Sequence, residues 1–276
     1  MTPYLSKDQH SARKFDYLLA NPPYGKEWKM DQGAVEAESE RGYAGRFGAG
    51  LPRISDGQLL FLQHMLARMQ DAKAGGGRIA IVMNGSPLFT GDAGSGESEI
   101  RRWILENDRL ETIVALPDQL FYNTGISTYV WVLTNRKDAK RKGKVMLIDA
   151  SSFWTQMRKS LGDKRHEIAP EQIQRIVELA AAFKESEHSK IFEVEAFGYR
   201  KITIERPLRL NLQASAKRIE RLKSEKAFIA LAESKKKHSE AKAAEEAEGR
   251  KQQAEILALL AALPQTLFKD RPSFWT

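Results

Sequence analysis

The chain has 276 residues, 42% hydrophobic and 9% aromatic, enough to bury a core in one or two domains. It has no cysteine, which excludes disulfides, zinc–thiolate sites and cysteine nucleophiles. Its net charge of +8 favours a polyanionic partner such as nucleic acid, and no apolar run approaches the ~20 residues of a membrane span, so the expectation is a soluble, cytoplasmic protein.

Residues 1–14 form a polar lead-in without the apolar stretch of a signal peptide. Phe15 to Leu19 is short, apolar and aromatic, the pattern of a buried strand. Asn21-Pro22-Pro23-Tyr24 ends it, and each proline pushes the residue before it into an extended conformation, which holds Asn21 at the carboxyl end of the strand. Lys26 to Arg53 has no periodicity and reads as a long loop. Its Trp28, Tyr43, Phe47, Arg41, Arg46 and Arg53 either grip a nucleic acid backbone or decorate a mobile surface. Phe47-Gly48-Ala49-Gly50 imitates a glycine-rich cofactor loop, but such a loop leaves a strand and opens a helix, and this one runs into Leu51-Pro52.

Ser55 to Gln70 reads as a helix with a Ser55/Gln58 capping box and Leu59, Leu62, Leu66 and Met69 at helical spacing; His64 reads as packed or surface rather than as a base. Arg78 to Met83 is a near-continuously apolar strand of the parallel type. Gly94-Ser95-Gly96 precedes a helix over 97–107, but Asp92, Glu97 and Glu99 would repel a phosphate there. Further strands are expected over 110–116, 127–134 and 144–149, the last two as a hairpin about the basic link from Arg136, whose cations are either phosphate contacts or a solvated tip. Pro170 to Phe183 reads as a helix, and residues 191–195 and 200–205 as a second hairpin. From Asn211 onward Lys, Glu and Ala dominate, which predicts long, partly exposed helices without clean heptads. Strand–helix alternation with an antiparallel return strand gives an α/β, Rossmann-like sheet.

The turn suits one task. An exocyclic amino group is a poor nucleophile because its lone pair is delocalised into the ring. Two acceptors, the Asn21 side-chain oxygen and the Pro22 carbonyl, would draw that nitrogen toward tetrahedral geometry, and Tyr24 would stack on the base for about 1–3 kcal/mol. The same four residues also make an ordinary Asn-Pro turn.

Asn21-Pro22-Pro23-Tyr24 resembles the catalytic tetrapeptide of amino-group methyltransferases that use S-adenosyl-L-methionine. Residues 77–82 and 100–104, and above all Leu116-Pro117-Asp118-Gln119-Leu120-Phe121-Tyr122-Asn123-Thr124-Gly125-Ile126, are similar to the modification (M) subunit of type I restriction–modification systems, an adenine-N6 DNA methyltransferase. The resemblance runs from about residue 13 to about 210. It implies a partial methyltransferase sheet over 1–210, a helical, charged, partner-docking extension over 211–276, and a flipped adenine in double-stranded DNA as substrate. Asn21 and Pro22 would accept from the adenine amino group, Pro23 would stiffen the turn, Tyr24 would stack, and Phe121 would be a second stacking face. No metal is implied, and the partners implied are the specificity and restriction subunits. In the family the cofactor half precedes the turn, with a glycine-rich turn and an acidic residue for the ribose. This sequence begins about one strand before the turn and has neither, so the expectation is a carboxyl portion, with cofactor-binding residues unassigned. Two alternatives stay open: a glutamine or RNA amino-methyltransferase with the same turn, and a non-catalytic fragment that binds DNA or a subunit.

Overall fold

The computed structural model describes residues 5–6, 8, 10–205, 211–234, 236, 239–269 and 273. By its internal contacts the chain divides into two units, Met1–Lys201 and Ile202–Thr276. Residues 1–4 of the expected lead-in and 206–210, where the expected domain boundary falls, lie outside the described residues.

The first unit is built on a six-stranded sheet in the order β1-β2-β4-β3-β5-β8. Strand β1 (Tyr17–Ala20) pairs in parallel with β2 (Arg78–Asn84), from Tyr17 opposite Arg78 to Ala20 opposite Ile81. Just before β2, Gly77 permits the close approach: a Cβ there would lie 2.5 Å from Met69 Cγ and 3.0 Å from the Phe15 carbonyl oxygen. Strand β3 (Leu110–Ala115) runs parallel to β5 (Lys144–Asp149), and β4 (Thr128–Thr134) is the antiparallel return strand between β2 and β3.

Side-chain alternation gives the sheet two different faces. On one, Ile79, Ile81, Met83, Trp131 and Leu133 are buried under α2 (Gln58–Arg68) and α4 (Gly96–Glu106). Leu59, Leu62 and Leu66 of α2 and Ile100 and Ile104 of α4 meet them, each buried side chain worth about 1.5–3 kcal/mol. On the other face α5 (Pro170–Ala182) covers β3 and β5 through Leu179, Ile176 and Ala180, packed on Val114, Met146 and Ile148. Over β1, β2 and β4 that face is open: Ala80, Val82, Val130 and Val132 are half-buried, and Tyr17 and Leu19 are 78% and 81% exposed. Among the described residues β1 is thus an edge strand of the sheet.

Several expectations need correction. Residues 26–53 are not a bare loop: α1 (Gln32–Ser39) and two short 3-10 turns build a second core of Trp28, Val35, Phe47, Leu60 and Leu5. Arg46 is locked there by Glu38, with Nη2 to Oε2 at 2.6 Å. The Ser55/Gln58 capping box does not form. The helix starts after Gly57, and the Gln58 amide turns to Asp56 and Asn84 instead. β4 and β5 are not a hairpin, because the link between them crosses the start of β3. Lys137 Nζ reaches Asp108 Oδ1 at 2.5 Å, and the Gly143 amide donates to Asp108 Oδ2 at 3.1 Å. Lys137 and Arg141 are thus buried, Arg141 against Glu111 at 3.0 Å, rather than a solvated tip. Residues 191–205 form no hairpin: β8 (Ser189–Glu193) pairs antiparallel with β5, and 200–205 carry no regular structure. Between β5 and α5 stands a hairpin that the reading by apolar pattern does not pick out, β6 (Thr155–Leu161) with β7 (Lys164–Glu167).

Among its described residues the second unit carries three helices, α6 (Ala216–Leu222), α7 (Lys226–Ala230) and α8 (Ser239–Ala262), and an isolated antiparallel bridge between Leu212 and Phe268. Gly249 of α8 lies against the backbone at Leu231, where a Cβ would fall 1.8 Å from the carbonyl oxygen. No helix among the described residues is long and apolar enough to cross a membrane.

His64 sits on α2 beside this second core, and Arg46 Nη1 lies 3.0 Å from its Nδ1. A guanidinium only donates, so Nδ1 carries the lone pair and the folded ring is neutral. Burial first, then Arg46, lowers the His64 pKa, with Arg68 adding to this and Asp8 and Glu38 opposing it. The unfolded chain accepts a proton that the folded ring resists, so this stability is complete above the ordinary histidine value of 6.5 and falls as pH drops below it. Denaturant melts across mildly acidic pH are expected to show that loss, and His64→Gln to flatten it.

Candidate active site

The Asn-Pro-Pro-Tyr turn leaves the carboxyl end of β1, the side on which open α/β sheets place ligands. Pro22 is buried and anchors the turn; Asn21 is exposed. The Tyr24 hydroxyl donates to Asn21 Oδ1 at 2.8 Å. Burial pushes the Tyr24 pKa up to about 12, so at neutral pH the phenol is a fixed donor. Beside the turn lies a shallow depression of ≈ 340 Å³ lined by Leu19, Ala20, Asn21, Ala80, Val82 and Val130. Its walls are apolar and its polar side chain is Asn21, a pairing suited to a flat ring that carries a few hydrogen-bonding groups.

Phe121 comes from the loop between β3 and β4, remote in sequence, and its ring meets Tyr24 edge to face at 6.0 Å and 82°. The structure thus brings together Asn21, Pro22, Pro23, Tyr24 and Phe121. The β6–β7 hairpin braces the loop. The amides of Arg165 and His166 donate to the Gln119 carbonyl at 3.0 and 3.2 Å, and the Asp163 amide donates to the Tyr122 carbonyl at 2.9 Å. His166 Nδ1 lies 3.0 Å from the Asp118 carbonyl oxygen and 3.1 Å from its carboxylate, so that nitrogen carries the hydrogen. Trp154 stacks on the same imidazole at 3.8 Å. Gly162 turns the hairpin at φ +59, with a hypothetical Cβ only 2.5 Å from the Tyr122 carbonyl oxygen. The Gly162-Asp163 pair was the local signal for this hairpin, since glycine supplies the left-handed turn residue.

The basic and aromatic residues of 26–53 separate by role. Trp28, Phe47 and Arg46 hold the second core, Arg53 donates to Ser86 Oγ at 2.9 Å, and Tyr43 stacks on Trp103 at 6.1 Å.

Neither glycine-rich stretch forms a cofactor cradle. Gly48 presses on the backbone of Gly42, Gly50 on Gly96, and Gly96 on Leu51, so these glycines serve close packing. Ser95 caps its own helix by accepting from the Ser98 amide at 3.3 Å. Neither stretch offers the ribose and carboxylate of S-adenosylmethionine a glycine-lined strand-to-helix turn; among the described residues Gly85 stands at such a turn, from β2 into the short helix α3 (Ser86–Phe89).

The model of the N-6 DNA Methylase family matches residues 2–205. The type I restriction enzyme HindI methylase subunit of Haemophilus influenzae is 35% identical over 147 residues, 52% of this chain and 29% of that protein. The MjaIX methylase subunit of Methanocaldococcus jannaschii is 28% identical over 196 residues, 71% of this chain and 32% of that protein. Among solved structures, the type I restriction-modification system methyltransferase subunit from Streptococcus thermophilus aligns at a TM-score of 0.56 and 25% identity, covering 69% of this chain and 37% of that one. The chain spans about a third of the length of these curated relatives, 32% and 29%.

An ultraviolet titration is expected to show one tyrosine ionising near 12, absent in Tyr24→Phe. The folded value is raised, so the stability that Tyr24 lends is present below pH 10.0 and lost as pH climbs toward 12. A Tyr24 that titrates with the free phenols would contradict its placement in the turn.

Proposed function

We infer function from one premise: this chain belongs to the N-6 DNA Methylase family. We propose that it is the part of an adenine-N6 DNA methyltransferase subunit of a type I restriction–modification system that receives the target base and activates its amino group. The observation that carries this reading is the convergence of Asn21 Oδ1, the Tyr24 ring and Phe121 at the carboxyl end of β1.

The adenine leaves the duplex at a cost of a few kcal/mol and enters between aromatic faces. Its amino group donates to Asn21 Oδ1, which exchanges the Tyr24 hydroxyl for the substrate, and to the Pro22 carbonyl. Both acceptors favour the nitrogen as it turns tetrahedral and acquires positive charge, more than they favour the planar ground state. Pro22 and Pro23 fix the turn before the base arrives, so little ordering remains to be done. S-adenosylmethionine supplies the methyl group in this reading; no described residue is assigned to hold it. Double-stranded DNA is the substrate, and the specificity and restriction subunits are the proposed partners. The charged helices of the second unit are the proposed docking element for the specificity subunit, in keeping with the type I names of the relatives.

The test is expression of the chain together with the proteins encoded beside its gene, in a host lacking adenine methylation. N6-methyladenine at one defined sequence is the expected product. Asn21→Ala is expected to lower the methylation rate by about 10²–10³-fold, as loss of one transition-state hydrogen bond does. Tyr24→Ala is expected to weaken base binding by about 1–3 kcal/mol, with Tyr24→Phe retaining the stacking. Methyl groups on protein glutamine or RNA instead of DNA would overturn the assignment.

A further inference from the structure

The hairpin that braces the Phe121 loop is rich in cations, and because neighbours along a strand alternate sides, these flank both of its faces. Arg158 and Lys159 on β6 and Lys164 and Arg165 on β7 are four cations, against two carboxylates, Asp163 and Glu167, in the same segment. Arg158, Lys159 and Arg165 are exposed and Lys164 is half-buried. Among the described residues none of the four side chains forms an ion pair or a hydrogen bond. That contrasts with the cations of the link before β5, where Lys137 and Arg141 are buried and paired inside the fold. Cations left unpaired need not break internal bonds on meeting a polyanion.

The position of this surface matters as much as its charge. Four contacts tie the hairpin to the loop: three amide–carbonyl bonds, at Gln119 (two) and Tyr122, and the His166 imidazole on Asp118. Phe121, which directly precedes Tyr122 in that loop, touches Tyr24. The chain of contact from cation to turn is therefore short: backbone bonds and one imidazole join hairpin to loop, and an aromatic contact joins loop to turn. Tyr122, 69% exposed beside Gly162 at the hairpin tip, adds an aromatic face next to the charges. Exposed aromatic and basic side chains side by side are the combination that grips a nucleic acid strand without reading its sequence.

We propose that the β6–β7 hairpin is the phosphate clamp of this subunit, holding the DNA backbone next to the nucleotide whose base enters at Tyr24. This rests on the proposed DNA-directed function and adds to it the surface that positions the strand. One consequence is a division of labour: the turn recognises the amino group, and the hairpin holds the phosphates that a flipped base leaves behind.

The experiment is fluorescence anisotropy of the full chain with a short fluorescein-labelled duplex across a salt series. Each phosphate contact removed is expected to make the slope of log K against log salt shallower by about 0.9. Arg158→Ala/Lys159→Ala/Arg165→Ala is expected to lose roughly two to three such units and to bind more weakly at every salt concentration. Arg158→Lys/Arg165→Lys, which keeps the charge, is expected to retain the slope. Lys140→Ala/Lys142→Ala, equally exposed cations in the link before β5, is expected to change it little. An unchanged slope in the hairpin variant, an equal loss in the link variant, or no duplex binding by the unsubstituted chain would each overturn the clamp. Asn21→Ala is expected to keep the full slope while losing methylation. Failure of the base-activating role therefore shows up in methylation, and failure of the clamp in the slope.

Discussion

The four-residue parallel pairing of β1 with β2 is the constraint on which the site depends. It is held from one side alone, since β1 is the edge of the sheet. Leu18 and Ala20 pack inward on the first core, while the Phe15 carbonyl and amide tie the strand's approach to Gln70 and Arg68 at 2.9 Å each. Asn21 leaves the last paired residue, so the register with Ala80 and Ile81 decides where its amide oxygen stands. A slip by one residue would exchange the inward and outward sets and carry the turn with it.

The other half of the site arrives from far along the chain. Phe121 is placed by a loop whose shape is set by the hairpin after β5, and that hairpin is fixed by backbone hydrogen bonds rather than by an apolar core. The two halves meet at a single aromatic contact. Backbone-fixed loops on a packed sheet give these side chains precise positions while leaving them at the surface, where a ligand can reach them.

The legible parts of the sequence were those whose physics is local. Pro22 and Pro23 dictate their own conformations, and Leu59, Leu62 and Leu66 announce a buried helix face by spacing alone. The α/β sheet with its antiparallel return strand followed from the same patterns. What stayed hidden depends on distant partners. Trp28 and Phe47 look like loop aromatics until Leu60 and Val35 are seen to close a core around them. A short basic link looks like a hairpin until Asp108, in a left-handed conformation at φ 51, is found anchoring it across β3. The β6–β7 hairpin is mostly polar or charged and has no apolar alternation, so periodicity did not mark it. Among the candidate residues, Asn21 and Tyr24 could be singled out from the tetrapeptide itself, whereas Phe121 rested on likeness to a family because nothing local points it at Tyr24.

If the turn receives a base as proposed, the bond from the Tyr24 hydroxyl to Asn21 bears on which bases it would accept. An amino group that takes over Asn21 Oδ1 replaces one neutral hydrogen bond with another, so the exchange adds little to affinity. A base with a keto oxygen at that position has no hydrogen to offer. It would set two lone pairs against each other or leave the Asn21 oxygen covered by the phenol, which keeps its own partner and has no reason to move. The turn thus acts as a comparator: its resting bond is the standard an incoming group must match. On the proposed function, the pocket would then gain its selectivity from rejecting wrong bases rather than from holding the right one tightly.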